Sequence, residues 1–154
     1  MEIEEEGSLN SKITYKLSAQ DSYIKGDPVI INFTLQNLSI EDLWVLKWYT
    51  PLEGLKGKIF RVTCDGREIP YEGPMHKRGD PEKADYIHIR PRRSVTAQVD
   101  LSTVYNFPAS EKCQVWFKGR IYDISSAGDL LPKSNEEQQM VSISGNSVTF
   151  RVID

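Results

Sequence analysis

The sequence predicts an all-β protein: an antiparallel, two-sheet, immunoglobulin-like β-sandwich of about eight strands, with at most one short helical turn. Three observations carry this. Apolar residues recur at every second position along much of the chain, the pattern of a sheet with one buried face. The segments so marked are short and separated by Gly, Pro, Asn and Asp. No segment has the 3.6-residue period and caps of a crossover helix, which leaves antiparallel packing of two layers.

Each strand can be justified in order. Ile13, Tyr15 and Leu17 alternate with Lys12, Thr14, Lys16 and Ser18. Val29, Ile31, Phe33 and Leu35 alternate with Ile30, Asn32, Thr34 and Gln36. Trp44, Leu46 and Trp48 share a face of the third run, where a tryptophan is expected to fill the core. Phe60, Val62 and Cys64 share a face of the fourth. Ile87 and Ile89 oppose Tyr86, His88 and Arg90. Val95, Ala97, Val99 and Leu101 form the sixth inward set, Cys113, Val115 and Phe117 the seventh, and Val148, Phe150 and Val152 the last. Asp65-Gly66 is a two-residue hairpin signal, and Gly145-Asn146 reads as a second hairpin joining "QMVSIS" to "SVTFRV". "DLSTVYNF" is the one helical candidate, with Asp100 or Ser102 as N-cap and Pro108 as stop.

Two regions are expected: a flexible acidic tail over residues 1–10, and one sandwich over 11–154. The start, "MEIEEEGSLN", has neither the basic nor the apolar part of a secretory signal. A cytoplasmic location is therefore expected for the chain as given, and an extracellular or periplasmic one if its start has been trimmed. The chain has a net charge of -3 and a pI of about 5.5, which argues against nucleic acid as a partner. No apolar run has the length of a membrane span. Cys64 and Cys113 both fall on inward faces, and two free buried thiols are expected rather than a disulfide.

Catalytic signatures are missing. The two histidines, His76 and His88, lack the helical spacing of a zinc protease. His88 is expected on a strand surface and His76 in a loop. No serine sits on a Gly-x-Ser-x-Gly elbow, and no glycine-rich phosphate loop or calcium-loop spacing occurs. No catalytic residue, metal site or cofactor is expected. Outward aromatics and loops remain the features suited to binding. The candidate contact residues are Tyr49, Thr50, Pro51, Leu52 and Glu53 in one loop, His76, Lys77 and Arg78 in another, and Trp116 on a strand. The 123–136 connection, "DISSAGDLLPKSNE", is long enough to be a packed loop or a binding element.

Several separated motifs occur together: Thr50-Pro51-Leu52-Glu53-Gly54, Asp65-Gly66, Pro70-Tyr71-x-Gly73, Lys77-Arg78-Gly79-x-Pro81 and Asp100-Leu101-Ser102-x-x-Tyr105. In this order the stretch from Ile13 to Tyr122 resembles the β-rich N-terminal domain of peptidyl-Lys metalloendopeptidases of the deuterolysin (aspzincin) group. The resemblance implies an accessory or pro-domain without its zinc catalytic domain, since the zinc signature is missing here. Cys113 stands where that family's strand tends to carry a tyrosine. The early strands are also similar in style to small immunoglobulin-like proteinase inhibitors. The expected function is a non-catalytic, protein-binding sandwich, a protease inhibitor or pro-domain-like partner of a metalloprotease. The alternatives are a carbohydrate- or cation-binding module and, behind it, a hydrolase with dispersed carboxylates.

Overall fold

Alternation builds two principal sheets in the computed structural model, which describes residues 9–134 and 136–154. The strands are β1 (Leu9–Ser18), β2 (Ser22–Ile24), β3 (Ile30–Asn37), β4 (Leu43–Leu46), β5 (Phe60–Cys64), β6 (Arg67–Glu68), β7 (Tyr86–Ile89), β8 (Ser94–Asp100), β9 (Ser110–Phe117), β10 (Arg120–Ile121), β11 (Ile124–Ser125), β12 (Val141–Ser144) and β13 (Val148–Ile153). One sheet runs β10-β12-β1-β3-β8, and the other β2-β13-β9-β5-β6. The described residues contain no α-helix, only four 3₁₀ turns.

The two large sheets face each other across one apolar core. Ile13, Leu17, Ile31, Phe33 and Leu35 come from the first sheet; Phe60, Val62, Val115, Phe117 and Phe150 come from the second. Phe33 and Phe117 meet edge-on across the gap at 5.2 Å, a geometry that adds to the burial of the two rings. The inward residues of β3, β5, β9 and β13 match the alternation in the sequence. Pairing is mainly antiparallel, with two parallel exceptions: β1 with β12, and β13 with β2.

The third sheet, β11-β4-β7, draws each strand from a different connection of the sandwich. β4 follows β3, β7 precedes β8, and β11 lies in the long passage from β9 to β13. Asn37 ties this sheet to the first. Its fully buried amide donates to the carbonyls of Glu41, Ile89 and Arg90 at 2.8, 3.0 and 3.2 Å.

Four expectations change. Gly145-Asn146 does not turn a hairpin: β12 and β13 belong to opposite sheets, because β12 runs parallel to β1. Instead the Asn146 side chain holds Leu17, accepting from its N–H at 2.7 Å and donating to its carbonyl at 2.9 Å. Cys64 and Cys113 are not free thiols. They stand directly opposite each other on neighbouring β5 and β9 and form a disulfide. The inward face of β4 carries Leu43 and Val45. Trp44 points away from it and stacks on His88 at 4.4 Å, while Trp48 packs in a satellite cluster with Leu46, Tyr86 and Leu131. Leu9 and Asn10, expected in the tail, begin β1, and the rest of that tail lies outside the described residues.

Asp65-Gly66 does turn the β5–β6 hairpin, with Thr63 opposite Glu68 and both turn residues at positive φ. The short helical turn forms at Leu101–Thr103, with the Asp100 carboxylate accepting from the Ser102 N–H at 3.0 Å.

Candidate functional site

The two loops singled out in the sequence come together. After β4 the chain turns at Tyr49, whose φ of 60° lies in the left-handed region. Thr50 then caps the 3₁₀ turn Pro51–Glu53: its hydroxyl donates to the Lys47 carbonyl at 2.7 Å and accepts from the Leu52 N–H at 3.1 Å. Proline at the first turn position suits this start, since its missing N–H would have no partner there. Gly54, at φ 89°, ends it. The turn returns Glu53 beneath Tyr49, whose N–H donates to the Glu53 carboxylate at 2.8 Å.

The second loop crosses this turn. Arg78 donates to the same Glu53 carboxylate at 2.6 Å. Its guanidinium also lies 4.9 Å from the Trp48 ring centre and 5.3 Å from that of Tyr49. The side chains are 16% and 7% exposed, so this charge pair is largely shielded from solvent and depends on close geometry. The Arg78 Nε is buried without a hydrogen-bond partner among the described residues. Tyr49 stacks obliquely on Tyr122 at 4.7 Å, and its hydroxyl donates to the His76 carbonyl at 3.4 Å. The His76 N–H donates to the Lys56 carbonyl at 3.0 Å.

The nine candidate residues therefore take different places. His76 and Lys77 form the exposed rim, together with Met75, which was not among the nine. Tyr49, Leu52, Glu53 and Arg78 are half-buried behind it. Thr50 and Pro51 are buried and shape the loop from within. Trp116 is not part of this group: it lies on β9, half-buried, with Arg61 4.9 Å above its ring. Arg61 in turn pairs with Glu68 at 3.2 Å.

Sequence reasoning missed the support beneath the loops. Asp123 is fully buried and accepts from the Tyr86 hydroxyl at 2.7 Å, from Lys133 Nζ at 2.9 Å and from the Gln139 N–H at 3.2 Å. Burial, and then the Asp123 carboxylate, push the Tyr86 hydroxyl far above its ordinary value of 10. The network ties Asp123, Lys133 and Gln139 to Tyr86 of β7. Its members are 37 and 10 residues apart in sequence, so no local motif announces it. Within that passage Leu131 is tucked into the satellite cluster and Leu130 is exposed.

Among the described residues no three of His, Cys, Asp and Glu converge as metal ligands. None of their helices is long and apolar enough to cross a membrane. His88 is exposed on its strand, with Nε2 2.7 Å from the Asp42 carboxylate.

Comparison with known proteins adds one sequence relative. No family model matches the chain. Over 95 residues, 60% of its length, the chain is 33% identical to an extracellular protease of Aeromonas hydrophila. The match spans 27% of that protease. Among solved structures, the CARDB domain of the PF1109 protein from Pyrococcus furiosus, in complex with di-metal ions, aligns over 99% of this chain and 100% of its own, at 8% identity and a TM-score of 0.37. The likeness to part of an extracellular protease agrees with a β-rich accessory segment. It does not reach the deuterolysin group that the motifs resemble.

Proposed function

We propose that this chain is a non-catalytic, protein-binding β-sandwich that acts as the accessory, inhibitory or pro-domain-like partner of a protease. The observation that carries the reading is the pair of loops joined through Arg78 and Glu53. Arg78 is locked between Glu53, Trp48 and Tyr49, and this presents Met75, His76 and Lys77 on a fixed rim. Aromatic and arginine side chains are enriched among interface anchors, and fixing a contact surface in advance lowers the entropy lost on binding. The likeness to a segment of an extracellular protease is the reason a protease is proposed as the partner.

The test is binding and inhibition measured with a purified extracellular protease of the matching kind. It uses the wild-type chain and a rim variant, M75S/H76A/K77A, whose side chains are exposed. Saturable binding that the rim variant weakens supports the reading. Absence of binding, equal binding by the two chains, or hydrolysis of a substrate by the chain itself contradicts it.

A further inference from the structure

The turn from β7 to β8 carries three arginines in four residues, Arg90, Arg92 and Arg93. All three are exposed, and none has a carboxylate within ion-pair distance among the described residues. The nearby Asp42 is engaged by His88. The turn is fixed by its backbone: the Arg93 N–H donates to the Arg90 carbonyl at 3.0 Å, and Arg92 sits at φ 63°. Asn37 clamps it from the core, donating to the Arg90 carbonyl from its side chain and to the Arg93 carbonyl, at 2.9 Å, from its N–H.

The strands on either side of this turn belong to different sheets. β7 is the terminal strand of the three-stranded sheet, and β8 is the terminal strand of the first large sheet. Terminal strands leave half of their backbone N–H and C=O groups without a strand partner. Between the two lies an open cleft of about 330 Å³, lined by His88, Ile89, Arg90, Arg93, Ser94 and Val95. One wall is stiffened by the parallel stack of His88 on Trp44, with the rings 8° apart.

We propose that this cleft is a docking site for an extended, acidic segment of a protein partner. The segment would add to the open strand edge through its backbone and place its carboxylates against Arg90, Arg92 and Arg93. Guanidinium groups suit this role because they bind carboxylates in a two-pronged geometry. Charge complementarity selects the occupant: three arginines with no carboxylate partner among the described residues stand beside a cleft that borders two terminal strands. The site is separate from the loop pair described above and stands or falls independently of it.

The competing role for such arginines is to guard a sheet edge against pairing, and the experiment separates the two. A fluorescently labelled octapeptide alternating glutamate with threonine is titrated against the full chain, and against the chain with E2Q/E4Q/E5Q/E6Q, so that its own acidic residues do not compete. Comparison peptides carry lysine for glutamate, or N-methyl groups on alternate amides. The site predicts saturable binding of the acidic peptide to at least one of the two chains. The R90Q/R93Q substitutions should weaken it at least about tenfold, and added salt should weaken it progressively. N-methylation should weaken it as well, and that comparison needs no protein variant. No binding to either chain, equal binding of the lysine peptide, an undiminished affinity in R90Q/R93Q or for the N-methylated peptide, or equally tight binding of pyrophosphate would each overturn the proposal.

Discussion

Arg78 and Glu53, 25 residues apart in sequence, meet at 2.6 Å and join the two loops. The pair is shielded by Trp48 and Tyr49. Removing one partner leaves the other charge without its counter-ion in a mostly dry site, which costs more than losing a surface pair. Arg78→Ala or Glu53→Gln should therefore destabilise the fold by about 1–3 kcal/mol. The double variant should cost less than the sum of the singles. Urea unfolding of the four proteins measures this, and strict additivity would mean that the pair does not couple.

The disulfide gives a second prediction. Cys64 and Cys113 are separated by 49 positions, so closing that loop in the unfolded chain should contribute roughly 4 kcal/mol on the chain-entropy model. Native protein should resist alkylation, and its intact mass should be about two units below that of the reduced chain. Both cysteines are almost fully buried, 3% and 0% exposed, so reduction should require unfolding. Alkylation of both thiols without reductant would contradict the pairing.

Asp123 supports the third. Asp123→Ala removes the acceptor shared by Tyr86, Lys133 and Gln139 and should cost about 3–5 kcal/mol, as losing one member of a buried charged network does. Hydrogen exchange should rise first across residues 123–139. Asp123→Asn keeps the shape and one acceptor oxygen and should cost less.

The pH dependence follows from two groups of opposite sign. Burial raises the Asp100 carboxyl, but bonds from the Ser102 hydroxyl and from the Val29 and Ser102 N–H groups outweigh it and hold the group below 3.8. A lowered carboxyl contributes stability that is present above its unfolded value and lost as pH falls through the folded one. Tyr86 and Tyr105, both raised above 10 chiefly by burial, contribute stability that is full below about pH 10 and lost as pH climbs through their folded values. Thermal midpoints should therefore drop below about pH 4 and again above about pH 10. Asp100→Asn should blunt the first drop and Tyr86→Phe the second.

Much of the fold was legible in the residues themselves. β3, β5, β9 and β13 alternate cleanly because each has one face in the core, and Asp65-Gly66 fixed its own turn. What escaped depends on contacts distant in sequence. The parallel pairing of β12 with β1 overrides a local hairpin signal at Gly145-Asn146. Trp44 reads as a core residue by its neighbours, yet β4 sits in the small sheet, which buries Leu43 and Val45 instead. The cysteine pairing is a matter of register between two strands, and register is not written in either strand alone. The site was legible as two loops, but not as a joined pair, since that needs Arg78 to reach Glu53.

The most direct measurement is a binding titration of an extracellular protease with the wild-type chain and with M75S/H76A/K77A, alongside unfolding curves for both proteins. The account predicts saturable binding by the wild type, a clear loss in the variant, and unfolding midpoints that coincide. Equal binding by the two, or none by either, would contradict it.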